Sequence, residues 1–160
     1  MSSIRTLFTN LAALPITYTS EKGQSKSILG LDLNKAPAVL VAAALPKRVL
    51  LPTEAWGSEG SAMERISVGT ANPGALMTWN VTDMFLLQGI ALGSGLADFL
   101  PDLVRYCGAY VTTSLGSIEL ATGMTLNGLS VAAGVYEYPM GSGNNYYGVE
   151  ARTQWTELLN

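Results

Sequence analysis

Ala75-Leu76-Met77-Thr78-Trp79-Asn80-Val81-Thr82-Asp83, running on to Leu92, is the stretch from which the fold of this chain is read. Met77, Trp79, Val81 and Asp83 alternate with Thr78, Asn80 and Thr82. A period of two puts successive side chains on opposite faces of an extended backbone, so the spacing predicts one long strand. Gly93-Ser94-Gly95 breaks it, and beyond the break the period changes. Leu100, Leu103, Val104, Cys107 and Val111 recur at helical spacing, with Leu115 near the end. Asp98 is the expected N-cap, which leaves Pro101 in the tolerated first turn, and Gly116 is the expected stop.

Upstream, Ile4, Leu7, Phe8, Leu11 and Leu14 repeat at helical spacing until Pro15, which predicts an amphipathic helix over 3–14. Ile16-Thr17-Tyr18-Thr19 and Ser27-Ile28-Leu29-Gly30-Leu31 flank a polar turn at Glu21-Lys22-Gly23-Gln24, a hairpin signal. Ala38-Val39-Leu40-Val41-Ala42 reads as a strand buried on both faces. Residues 44–66 carry Pro46, Pro52, Gly57 and Gly60 and are expected to form a long irregular loop. Downstream, two strands over about 129–138 and 146–158 are joined by the turn Met140-Gly141-Ser142-Gly143-Asn144-Asn145. The order predicts a single α+β domain over 1–160, with a mostly antiparallel sheet and two helices packed on one face.

Composition narrows the function. Charged residues are 13% of the chain against 48% hydrophobic, about half the usual charged share of ~25%. So little charge leaves a surface of Ser, Thr, Asn, Gly and apolar groups, which suits contact with other proteins. A net charge of −3 and a pI near 4.8 argue against a nucleic-acid binder, which neutralises phosphates with clustered Lys and Arg. The adjacent basic pair Lys47-Arg48 is expected at a solvated loop edge. Met1 to Leu11 lacks the charged head and apolar stretch of a secretion signal, and the apolar run 36–46 is too short to span a bilayer. Cys107 has no partner for an intramolecular disulfide. A protein made in a reducing cytoplasm is expected, with Cys107 a small buried thiol.

Histidine is absent, which removes the commonest general base and the most frequent metal ligand together. No catalytic, cofactor or metal site is assigned. Asp98 and Asp102 would share a helix face, but both fall where helix dipole and capping favour negative charge. Asp83 is either an inward carboxylate paired with a basic residue or a group beyond the core, and the second reading is preferred. Gly93-Ser94-Gly95 lacks the third glycine of a dinucleotide loop. Tyr136, Tyr138, Tyr146, Tyr147 and Trp155 are expected to pair across the final hairpin.

Three stretches carry a family resemblance: Ala36-Pro37-Ala38-Val39-Leu40-Val41; Trp79-Asn80-Val81-Thr82-Asp83 through Leu87; and Tyr146-Tyr147-Gly148-Val149-Glu150 through Glu157. In that order, with a helix between the last two, they resemble the tail-terminator and tail-completion proteins of lambda-like siphophages. The resemblance implies a non-enzymatic virion protein, assembled in the host cytoplasm, that forms a homo-oligomeric ring, most often a hexamer. Such a ring sits at the head-proximal end of the tail tube, ends tube growth and joins the tail to the head connector. Its implied partners are copies of itself, the tail tube protein and the head–tail connector proteins, with double-stranded DNA passing through the lumen unbound. No cofactor or membrane is implied. Another neck, connector or minor tail subunit is the alternative, and a small ligand-binding or enzymatic domain built on Asp83 and the Gly93–Gly95 turn is a third reading. Val49, Leu50, Leu51 and Trp56, in the expected loop, are the candidate interface residues.

Overall fold

The computed structural model describes residues 3–31, 44–52, 62–65, 74–90 and 95–159. Helix α1 (Ser3–Ala13) forms where Ile4, Leu7, Phe8 and Leu11 share a face, and Pro15 follows its end. Strands β1 (Ile16–Thr19) and β2 (Ser25–Ile28) pair antiparallel from Ile16↔Ile28 to Thr19↔Ser25. Gly23, at φ 76°, supplies the left-handed turn residue between them.

The main sheet is built from β3 (Gly30–Leu31), β4 (Lys47–Pro52), β5 (Ala62–Arg65), β6 (Ala75–Gly89), β7 (Thr125–Glu137) and β8 (Asn145–Leu159). Its order is β3-β4-β6-β8-β7, with β5 pairing the first residues of β6. Only β3 and β4 run parallel among these pairs. The long strand expected over 75–92 is β6, the centre of the sheet, and the two closing strands are β7 and β8. An α+β fold with a mostly antiparallel sheet is therefore what the chain adopts.

Helices α2 (Leu96–Thr112) and α3 (Gly116–Thr122) join β6 to β7. Along β6, Val81, Asp83 and Phe85 face one side, and Met84 and Leu86 face the other. All three helices lie on the first side. Leu7 and Leu11 of α1 and Ile118 of α3 pack with Leu50, Val81 and Trp155. Leu103, Tyr106 and Tyr110 of α2 pack with Phe85, Tyr147, Val149 and Ala151. A smaller cluster of Val49, Met84, Leu86, Tyr138 and Tyr146 fills the opposite side.

Three local expectations are corrected. The segment 44–66 is not one irregular loop, because Lys47–Pro52 pairs along β6 from Lys47↔Leu86 to Pro52↔Val81 and Ala62–Arg65 pairs further back. Helix α2 opens at Leu96 with Gly95 as its N-cap, and Asp98 sits at the third position, where its Oδ2 accepts the Gly95 N–H at 3.1 Å. Pro101 thus falls past the first turn, so the Ala97 carbonyl lacks the backbone donor four residues on. Gly116 does not end α2; Thr113 does, in an extended conformation, and Gly116 opens α3, which Gly123 closes at φ 69°.

Packing dictates glycine at Gly148. At Gly148 a Cβ would stand 2.3 Å from the Phe85 carbonyl oxygen, beside the register shift between Leu86 and Gln88. No side chain can occupy that point without moving the β6 backbone.

Candidate functional site

The chemistry of the described residues converges under the three helices, at Arg48, Asp83 and Tyr110. Register places Arg48 of β4 opposite Phe85 of β6 and points its side chain to the helix-covered face, where Asp83 also points. The Arg48 Nε donates to Asp83 Oδ1 at 2.9 Å and Oδ2 at 2.8 Å, and Nη2 donates to Oδ2 at 2.6 Å. The two side chains are 0% and 1% exposed. The remaining guanidinium donors turn to α1, with Nη2 on the Leu11 carbonyl at 2.8 Å and Nη1 on the Leu14 carbonyl. Tyr110 of α2 completes the cluster, its hydroxyl donating to Asp83 Oδ2 at 2.8 Å while Arg48 sits 5.8 Å from its ring centre.

Helix termini explain the arrangement. The last carbonyls of a helix have no intrahelical donor, and the terminus carries about half a negative charge. Helix α1 has no basic residue in its last turn to answer this. Arg48 answers it from another strand. One guanidinium thereby satisfies α1, balances Asp83 and faces α2 through Tyr110, so the cluster fastens two helices and two strands together. Burial opposes the charged guanidinium, but the adjacent Asp83 carboxylate more than offsets it and holds the Arg48 pKa above its ordinary value.

The neighbouring tyrosines share this environment. Burial first, then the Asp83 charge, raises the pKa of Tyr106 and of Tyr110 well above the ordinary 10.0. Tyr18 is pushed up to about 12 by burial and by Asp102. Tyr106 stacks on Phe85 with ring centres 3.9 Å apart, and Tyr18 meets both edge-on. The hydroxyls of Tyr18 and Tyr106 are buried without a hydrogen-bond partner among the described residues.

The expected interface residues divide. Val49 and Leu50 are 0% and 1% exposed, so they are core residues of β4 and not loop anchors. Their apolar character is spent inside the subunit, one on each side of the sheet. Leu51 is half-buried against the Val49 cluster, and Trp56 lies outside the described residues. Arg48 is buried, contrary to the expected solvated edge, and Asp83 is an inward carboxylate paired with a basic residue, contrary to the preferred reading of a group beyond the core. Asp102 accepts the Glu21 N–H at 2.6 Å and ties α2 to the hairpin. Gly93 and Ser94, and the strand expected over 38–42, lie outside the described residues. Cys107 is half-buried, and burial raises its thiol pKa.

The closing strands do pair aromatic residues: Tyr136 stands opposite Tyr146, while Tyr147 stacks instead on Phe99 of α2 at 4.8 Å. Trp155 stands opposite Trp79. The signal that would have found the Arg48–Asp83 pair is present in the sequence: each charge sits in an apolar strand on the inward phase. A buried charge requires a partner.

Among the described residues no three His, Cys, Asp or Glu side chains gather as a metal site would require, and no helix is long and apolar enough to cross a membrane. An open groove of about 620 Å³ lies between the hairpin and α2, lined by Tyr18, Ser20, Glu21, Arg105, Ala109 and Thr112 among others. On another flank of α2, Leu100, Val104 and Val111 are 41%, 56% and 58% exposed. The geometry defines an α+β scaffold locked by an internal ion pair, with apolar side chains turned outward along one helix. No family model, curated protein or solved structure matches the chain.

Proposed function

We propose that the chain is a structural subunit of a phage tail or neck that assembles with copies of itself into a ring at the head-proximal end of the tail tube. The ring ends tube growth and joins tail to connector, and the duplex genome passes through it. The observation that carries this reading is the outward apolar flank of α2, because a stripe of Leu and Val on a helix that already has its own buried face calls for a protein surface to cover it. The sequence resemblance supplies the setting. Two of its three stretches are the central strands β6 and β8, paired from Ala75↔Leu159 to Gly89↔Tyr146. The polar chemistry is consistent with a scaffold, since the oxygens of Asp83 accept Arg48 and Tyr110 and are thereby committed to holding the fold. A net charge of −3 also suits a lumen through which DNA slides without being gripped.

Light scattering on the purified chain across a concentration series, with electron microscopy of the same fractions, tests the proposal. A closed ring with a central hole is the expected result. A species that stays monomeric to its solubility limit overturns it.

A further inference from the structure

We infer that a second copy of this chain adds a strand to the free edge of β7 and covers the apolar flank of α2 above it. The inference rests on the assembly reading and locates its interface, away from the β4 residues to which the sequence pointed.

Strand β7 ends the sheet: β8 pairs one side of it, and no described strand pairs the other. A free edge presents a row of backbone donors and acceptors to any passing strand, and monomeric proteins guard such edges with Lys, Pro, charges or bulges. Over its 13 residues β7 has no Lys, Arg or Pro, and its one charge, Glu137, is the last residue. The Glu137 carboxylate is moreover turned to the Gly143 N–H of the hairpin tip. The single register shift lies at Leu126/Gly128, so none of these guards stands between Gly128 and Tyr136 among the described residues.

The helix above this edge carries the matching apolar surface. At about 100° per residue, the side chains of α2 divide into three sectors. Leu103, Tyr106 and Tyr110 are buried, and Arg105, Ala109 and Thr112 line the groove beside the hairpin. Leu100, Val104 and Val111 fall together on the opposite flank, within about 40° of one another. Because α2 packs against β1 on one side and β7 on the other, that flank stands over β7.

Side-chain contacts fix the alignment. Phe99 stacks on Tyr147, opposite Val135; Tyr106 stacks on Phe85, in line with Val149 and Ala133; Tyr110 bonds Asp83, in line with Ala151 and Val131. The stripe from Leu100 to Val111 therefore runs beside the edge from Val135 to Val131. Val135, itself 46% exposed, joins the two.

The size of this wall fits a second subunit. A 13-residue strand edge is about 44 Å long and about 10 Å deep, and the 17-residue α2 above it is about 26 Å long and about 10–12 Å wide. Together they present roughly 700–750 Å², close to the ~800 Å² per partner of a stable protein interface. A short peptide strand would cover the edge and leave the helix bare.

The test compares the wild-type chain with Val104→Asp and Val135→Lys by light scattering, with thermal melts to show that each variant is folded. Each substitution is expected to raise the dissociation constant of the oligomer by about tenfold or more. A wild-type ring that folded variants form equally well overturns this surface and leaves the ring reading standing. A wild-type dimer that the variants dissolve supports the surface and overturns the ring. A wild-type monomer at every concentration overturns both. Amide hydrogen exchange on the wild-type chain is a second measure that needs no variant. Protection of the outward amides of Leu129, Val131, Ala133 and Val135 must rise with concentration, and exchange there that ignores concentration overturns the strand addition.

Discussion

Strands β4 and β7 each carry apolar residues on both phases and play opposite parts. β4 carries a buried arginine and lies between β3 and β6, whereas β7 has its only charge at its end and, among the described strands, is paired by β8 alone. The sequence drew attention to β4 because Val49-Leu50-Leu51 stands among prolines and glycines. In the fold Val49 and Leu50 are interior and Leu51 is half-buried, while β7 and the outward flank of α2 expose Val135, Val104 and Val111. The difference lies in what each strand's inward phase demands. Arg48 must find an anion and carbonyls, so β4 is gripped from both helices; the inward Leu129, Val131 and Ala133 of β7 need only apolar cover from α2 on one side. A charge inside a strand demands specific partners, whereas apolar bulk demands only cover.

The sharpest break in that contrast is Arg48→Met. It leaves the Asp83 carboxylate buried with Tyr110 alone and strips the end of α1 of its cap, so a loss of about 3–5 kcal/mol is expected in denaturant unfolding. Replacing both partners, Arg48→Met with Asp83→Leu, should recover a large part of that loss, because two apolar groups leave no charge uncompensated. A double variant as unstable as the single would show that α1 capping, and not the pair, carries the energy.

This cluster also marks where sequence reasoning stops. β6, α2 and β8 could be read from local periodicity alone, because their buried faces repeat every two or every three to four residues. Strand β4 could not. Its alternation places Arg48 inward, which looks forbidden until Asp83, 35 residues away, is known to lie beside it. The start of α2 departs from the local pattern for a related reason: Asp98 does answer the helix N-terminus, but as a third residue reaching back to Gly95. The candidate interface inherited the error on β4, since an apolar run read as a loop looks exposed and the same run read as a strand looks buried.

A smaller effect separates the tyrosines from the charges. Tyr110→Phe removes one hydrogen bond to a carboxylate and should cost about 1.5–3 kcal/mol, leaving the pair itself intact. The same residues set an alkaline limit. Tyr18, Tyr106 and Tyr110 have raised pKa values in the folded chain, so above the ordinary 10.0 the unfolded chain releases protons that the folded one retains. Stability is fully present below pH 10 and falls as pH climbs, with the Tyr18 contribution gone beyond about 12. Urea midpoints between neutral pH and pH 11 should show that fall, and Tyr110→Phe should flatten it. A slope unchanged by the variant would place the titrating group elsewhere.

The least change in stability is expected on the other side of the comparison. Val104 is 56% exposed and makes no part of the buried face of α2, so Val104→Asp should alter unfolding of the isolated subunit by less than about 0.5 kcal/mol. Measured in dilute solution, where copies are separated, that near-zero value tests whether the flank serves the fold at all. A loss above 2 kcal/mol would mean that Val104 packs within its own subunit, and the division between a strand that holds the fold and an edge that meets a neighbour would fail. A negligible loss, beside a large one for Arg48→Met, would show that the outward flank of α2 adds nothing to the stability that the Arg48 cluster carries.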